Sequence, residues 1–151
     1  MAAAVLRPAR ADDIDAIVGL LTAERLPPMQ IAEFLNGFWV LEQDGEVVGA
    51  AGMEIYGEAG FLRSVVVAPS LRGTGDGDRL VRTALDHAQR NGAKRVYLFT
   101  MHAAQFFARH GFKLATMDDF EPAVRASWQY AAMSQMPEIA KDIKAMRLEF
   151  S

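Results

Sequence analysis

Three features of this 151-residue chain predict an α/β domain with a mixed sheet. The apolar run Val65-Val66-Val67 leads into a glycine-rich turn, Arg72-Gly73-Thr74-Gly75-Asp76-Gly77. A helix-patterned stretch follows, with Leu80, Val81, Ala84, Leu85 and Ala88 on one face. A second apolar run, Val96 to Thr100, completes a strand–helix–strand unit, whose right-handed crossover sets the two strands parallel. Asp44-Gly45 between Phe38–Leu41 and Glu46–Gly49 marks a hairpin, hence an antiparallel pair.

The elements follow in order. Val5-Leu6-Arg7 reads as a short strand ended by Pro8, and Asp12 or Asp13 is placed to cap a helix carrying Ile14, Ile17, Val18 and Leu21. Leu26-Pro27-Pro28 ends that helix, and residues 29–36 read as a second short one. The second hairpin strand runs through Gly52 to Tyr56, with a turn between Gly57 and Gly60. Residues 61–67 form a strand whose unbroken valine run suits burial on both faces. The helix from about Gly75 stops at Asn91-Gly92. A helix over 103–109, a strand over 112–114 and a helix from Pro122 to Ala132 are expected next. The last segment reads two ways: Ile139, Ile143, Met146 and Phe150 fit helical spacing, and 143–150 also alternates as a strand.

Composition narrows the function classes. At 51% hydrophobic, residues 1–151 suffice for one domain with a sizeable core. A net charge of −3 gives no polyanion-binding surface, so nucleic acid is not an expected partner. With no cysteine, disulfides, thiolate metal sites and a cysteine nucleophile are excluded. His87, His102 and His110 are scattered, so no metal site is expected. No segment reads as a signal peptide or a membrane span, which makes a cytoplasmic protein the default.

The glycine turn between a strand and a helix N-terminus suits phosphate. Glycine lets the backbone approach a ligand, the first helical turn leaves N–H groups unpaired, and Arg72 adds a cation. It is not a P-loop, because no Lys-Ser or Lys-Thr pair follows, and its third glycine is misplaced for a dinucleotide fingerprint.

Val67-x-Pro69-x-x-Arg72-Gly73-x-Gly75-x-Gly77-x-x-Leu80 resembles the acetyl-CoA loop of the GNAT acetyltransferase superfamily. Phe106-Phe107-Ala108-Arg109-His110-Gly111-Phe112 resembles that family's Phe-Tyr-x-x-x-Gly-Phe block. The resemblance runs from Arg7-Pro8-Ala9 onward and implies a GNAT fold. That fold is a mixed, mostly antiparallel sheet of about six to seven strands with flanking helices, its parallel pair formed by residues 61–67 and 96–100. It implies an N-acetyltransferase using acetyl-CoA as cosubstrate and a small amine as acceptor, with a homodimer as one possible assembly. The cofactor-binding positions it implies are Val65, Val66 and Val67 for the thioester and pantetheine, Arg72, Gly73, Thr74, Gly75, Asp76 and Gly77 for the pyrophosphate, and Phe106 and Phe107.

Glu54, a carboxylate among apolar strand residues, is the candidate general base, with ammonium binding or plain solvent exposure as alternatives. Tyr56, two residues on, shares its side of the strand and is a candidate proton relay. Arg63 in mid-strand reads either as an ion-paired or edge arginine or as a clamp for an acceptor oxyanion. Met29 reads as substrate contact or core. Two positions depart from the family. Phe107 stands where many members carry a tyrosine general acid, and Asp76 stands where an aliphatic residue is usual and opposes a bound pyrophosphate.

At finer grain, Glu54-Ile55-Tyr56-Gly57, Leu62 to Val67, Phe106-Phe107 and Pro122 to Ser127 resemble the arsenic-resistance branch of these enzymes. That branch implies an anionic, amino-acid-like acceptor. A catalytically degenerate module that binds CoA or a small ligand, or a dimerisation domain with an ordinary turn, are the alternative functions.

Overall fold

The computed structural model describes residues 2–151, the side chain of Ile139 excepted. Seven strands form one mixed sheet: β1 (Val5–Pro8), β2 (Phe38–Gln43), β3 (Glu46–Tyr56), β4 (Ala59–Val67), β5 (Arg95–Thr100), β6 (Lys113–Ala115) and β7 (Lys144–Glu149). Their order is β1-β2-β3-β4-β5-β7-β6. The helices are α1 (Ile14–Ala23), α2 (Asp76–Arg90), α3 (Ala104–Ala108), α4 (Pro122–Arg125), α5 (Trp128–Gln135) and α6 (Pro137–Ala140). The pairs β1–β2, β2–β3, β5–β7 and β6–β7 are antiparallel, and β4–β5 is parallel, as the crossover requires. Among the described residues no helix is long and apolar enough to cross a membrane.

The backbone divides into two compact units. The first holds the residues up to Glu54 together with Leu62–His87. Its core gathers Ile17, Leu21, Ile31, Phe38, Val40, Ala50 and Val66. Asp44 and Gly45 both take positive φ, 52° and 81°, which is the turn that matches the twist of a two-residue hairpin. Gly37 is needed for space, since a Cβ there would lie 2.1 Å from the carbonyl oxygen of Met53. Asp13 does not cap α1 with its side chain. Its carboxylate accepts from the Arg10 amide at 2.7 Å and from Arg7 Nη1 at 2.8 Å and Nη2 at 3.0 Å, and Arg7 also binds Glu42.

The helix expected over 29–36 is instead a 3₁₀ stretch, Ala32–Gly37, kinked at Phe34 (φ −117°, ψ 22°). Gln30 at φ 59° interrupts the helical path before it starts.

The second unit comprises Ile55–Phe61 and Ala88–Ser151. Its core is aromatic: Phe61, Tyr97 and Phe120 are buried, with Phe99, Tyr56 and Tyr130 packed against them. The stretch expected as one helix from Pro122 to Ala132 is two, because Ser127 leaves helical geometry and accepts the Tyr130 amide at 3.2 Å, capping α5. The final segment is a strand. Residues 144–149 pair with β5 along their length and with β6 at Lys113–Ala115, and those pairings outweigh the helical spacing of Ile143, Met146 and Phe150.

Candidate active site

Beyond β4 the chain makes a short 3₁₀ turn, Pro69–Leu71, then the exposed loop 72–75, then α2. Gly73 and Gly75 stand at φ 79° and 88°, a region that a side chain enters only with strain. A Cβ on either would meet nothing within 4 Å, so backbone conformation, not crowding, demands glycine. The first bond of α2 runs from the Arg79 amide to the Gly75 carbonyl at 3.1 Å, so the amides of residues 76–78 precede it at the helix N-terminus.

Thr74 Oγ1 lies 2.6 Å from the Leu71 carbonyl and 2.8 Å from Asp76 Oδ2, bracing the loop. Arg79 Nη1 donates to Asp76 Oδ1 at 2.8 Å. The Thr74 hydrogen bond first, and Arg79 second, hold the Asp76 carboxyl below the usual aspartate range. The charge that the sequence sets against a phosphate is thus already met by a cation. Arg72 is exposed and forms an ion pair with Glu24, the residue that follows α1.

In the same unit, Glu54 and Arg63 form a buried ion pair, Nη1 to Oε2 at 2.9 Å, with side chains 0% and 4% exposed. Arg63 Nε donates to Ser64 Oγ at 2.9 Å and Nη2 to the Pro27 carbonyl at 3.3 Å, and the guanidinium lies over the Phe38 ring at 5.4 Å. Ser64 takes φ 61° in the middle of β4. One left-handed residue in a strand turns the peptide groups on either side of it, and such strain concentrates at functional sites. Val65 and Val67 after it are half-buried and Val66 is buried.

Of the three readings of Glu54, as general base, ammonium site or solvent-facing residue, burial overturns the last: the side chain is fully enclosed and paired with Arg63. Arg63 shows the ion pairing that was one of its two readings, its guanidinium bonded to Glu54, Ser64 and the Pro27 carbonyl. Met29 is 49% exposed and so is not core.

In the second unit, Tyr56 is half-buried against the aromatic core. Phe107 is buried, its ring 5.1 Å from Phe106 and 5.9 Å from Phe112. Phe106 is flanked by His110 at 5.2 Å and by the Arg109 guanidinium at 5.3 Å. No cluster of three or more metal-ligating side chains occurs among the described residues. Glu24, Pro27, Ser64 and Arg79 escape a reading of the sequence. A carbonyl oxygen has no residue code, and an exposed glutamate, a serine in a strand and a helical arginine are ordinary in type.

The family model described as the acetyltransferase (GNAT) family matches residues 11–112. A Mycobacterium tuberculosis amino-acid acetyltransferase is 33% identical over 119 residues, 72% of this chain and 67% of its own length. One from Ralstonia nicotianae is 32% identical over 145 residues, 89% of this chain and 32% of its own length. The chain thus spans about a third or less of the Ralstonia relative and of the Neisseria and Actinobacillus ones that it also matches. Among solved structures, a Mycobacterium tuberculosis protein in complex with CoA superposes with a TM-score of 0.80 at 25% identity, covering 97% of this chain and 99% of that one. The N-acetylglutamate synthase of Neisseria gonorrhoeae, complexed with coenzyme A and N-acetyl-glutamate, gives 0.80 at 21% identity over all of this chain and 36% of that one, a likeness of fold.

Proposed function

Because this chain belongs to the acetyltransferase (GNAT) family, we propose that it transfers the acetyl group of acetyl-CoA to the amine of a small, anionic, amino-acid-like acceptor. The observation that carries the reading is the loop Arg72–Gly75: two glycines at positive φ, open space around them, and an adjoining helix N-terminus. Those residues suit the pyrophosphate of CoA by chemistry and by conformation. The relatives' names, amino-acid acetyltransferase, and the CoA-bound neighbour support the cosubstrate and the acceptor class.

In this reaction the amine nitrogen bonds to the acetyl carbon, the carbon–sulfur bond breaks, and CoA leaves as its thiol after taking up a proton as the amine loses one. The protein's part is placement and polarisation. Arg72, Gly73, Thr74, Gly75, Asp76 and Gly77 hold the pyrophosphate, with Arg72 exchanging Glu24 for phosphate oxygens. The strand around Ser64 to Val67 presents peptide groups to the pantetheine and the thioester. Glu54, paired with Arg63, orients that strand and the Pro27 segment, and Tyr56 is the candidate to pass the amine proton to water. Phe106 and Phe107 supply apolar surface, and the leaving sulfur draws its proton from solvent, since Phe107 has none to give.

Residues 1–151 act as one catalytic domain, a reading supported by a family match over residues 11–112, which takes in parts of both compact units. The setting is cytoplasmic. Amino acid analogues bearing a phosphinate or arsinate group fall in the same acceptor class and form a second arm of the test.

One observation favours a second reading, a module that binds CoA without catalysis: position 107 is a buried phenylalanine with no proton to donate. Mixing the protein with acetyl-CoA and a panel of acidic, neutral and oxyanion-bearing amines, and following free thiol, separates the two. Thiol release that depends on the amine supports transfer. CoA binding by calorimetry without thiol release with any acceptor supports the module.

A further inference from the structure

We infer that Arg25 recognises a carboxylate of the acceptor and so sets the enzyme's preference for anionic amino acids; this rests on the proposed acetyl transfer. α1 ends in a Schellman arrangement, with the Arg25 amide bonded to the Thr22 carbonyl at 3.1 Å and the Leu26 amide to the Leu21 carbonyl at 2.8 Å. Leu26 packs on the core that contains Leu21, as this motif prefers. The arrangement puts Arg25 at φ 59°, a position that glycine takes without strain and arginine does not. The strained residue is exposed, and its guanidinium has no hydrogen-bond or ion-pair partner among the described residues.

Its chain neighbours place it beside the chemistry. Glu24, one residue before, pairs with Arg72 of the glycine loop. The carbonyl of Pro27, two residues after, accepts from Arg63 of the buried Glu54 pair. The segment is bracketed at its far end by Gln30, also at φ 59° and exposed, and is stiffened by Pro27-Pro28. With the backbone beneath it already fixed, binding has only the Arg25 side chain left to order. Arg63 is enclosed and Arg72 is assigned to phosphate, so Arg25 is the arginine of this stretch left to meet a carboxylate, which its planar fork matches with two parallel hydrogen bonds. A plain structural role also exists, because a cation near a helix C-terminus is favourable. That role predicts the opposite stability effect on replacement by glycine.

The test compares the parent, Arg25→Gly and Arg25→Lys on two pairs of acceptors. Glutamate against glutamine removes a side-chain carboxylate, and an amino acid against its α-amide removes the α-carboxylate. For Arg25→Gly we expect a Tm at or above the parent's. We expect kcat/KM to fall roughly 10–150-fold, mainly through KM, on the carboxylate-bearing member of one pair, the equivalent of one lost hydrogen-bonded charge contact. The other member should change less than about twofold, and Arg25→Lys should fall between the parent and Arg25→Gly. The pair that responds tells which carboxylate is bound. A lower Tm with unchanged selectivity, or an equal loss on both members of both pairs, overturns the inference. Calorimetric binding of glutamate and glutamine to the CoA-loaded proteins keeps it testable apart from turnover. A parent that binds glutamate over glutamine, or amino acid over α-amide, without releasing thiol refutes acetyl transfer while the Arg25 comparison still decides. Binding that Arg25→Gly leaves unchanged in both pairs refutes Arg25 alone.

Discussion

Arg63 and Glu54 neutralise one another inside the protein, Nη1 to Oε2 at 2.9 Å, and the same guanidinium reaches the Pro27 carbonyl and the Ser64 hydroxyl. One buried arginine therefore joins a loop, a strand and a carboxylate. Removing either charge leaves the other buried without its partner, which costs about 3–5 kcal/mol. Glu54→Gln and Arg63→Met should each destabilise by that order in denaturant melts, and the double variant should lose clearly less than the sum of the two. Strict additivity would show that the pair is not coupled.

The ion pair between Arg72 and Glu24 occupies the guanidinium that CoA is proposed to use. Glu24→Gln should tighten CoA binding by less than about 1 kcal/mol, with the gain shrinking as salt rises, because the pair is solvent-exposed. Arg72→Ala should weaken binding by about 1.5–3 kcal/mol. Calorimetry on the two variants and the parent checks both, and unchanged affinity for Arg72→Ala would remove the loop from the CoA site.

Asp13 carries a pH dependence of stability. Its hydrogen bonds from Arg7, and to a lesser degree from the Arg10 amide, hold the buried carboxyl below the ordinary range. A folded-state value below the unfolded one means that the contribution is complete above about pH 4 and is lost as the pH falls through the lower folded value. Asp13→Asn should cost about 1.5–3 kcal/mol at pH 7. The gap to the parent should narrow progressively below about pH 4. Thermal melts from pH 7 to pH 3 read it, and a gap independent of pH would assign the loss to shape.

Gly37→Ala should destabilise by at least about 1–3 kcal/mol. The added carbon would sit 2.1 Å from the Met53 carbonyl oxygen, a backbone atom that cannot swing aside. A denaturant midpoint equal to the parent's would mean that the 3₁₀ stretch before β2 yields more easily than its contacts suggest.

The parts of the fold that could be read from the residues are those with local causes. Asp44-Gly45 names its hairpin, Asn91-Gly92 ends α2, and the glycines at 73 and 75 announce a left-handed turn. Two outcomes had to wait for the structure, for different reasons. Met146 belongs to a strand, one of the two readings its segment allowed, because β5 and β6, distant in sequence, pair with it. The single helix expected from Pro122 to Ala132 breaks for a local reason, the Ser127 side chain accepting the Tyr130 amide. Glu54 and Arg63 were each visible as unusual charges in apolar strands, nine residues apart. Their union depends on the sheet that sets them together. Two of the four short motifs behind the arsenic-resistance likeness, Glu54–Gly57 and Leu62–Val67, hold these residues, and there the buried pair accounts for the charges as packing as readily as acceptor chemistry does.

The outermost strands carry a consequence for solubility. An open sheet has two free borders, here β1 and β6, and each offers backbone groups to any passing chain. β1 is four residues long and ends in Pro8, which has no amide hydrogen to lend, and β6 has three residues with Lys113 exposed at its start. Neither border is long enough to template an incoming strand firmly. Fibril-like stacking through the sheet is thereby discouraged at both ends.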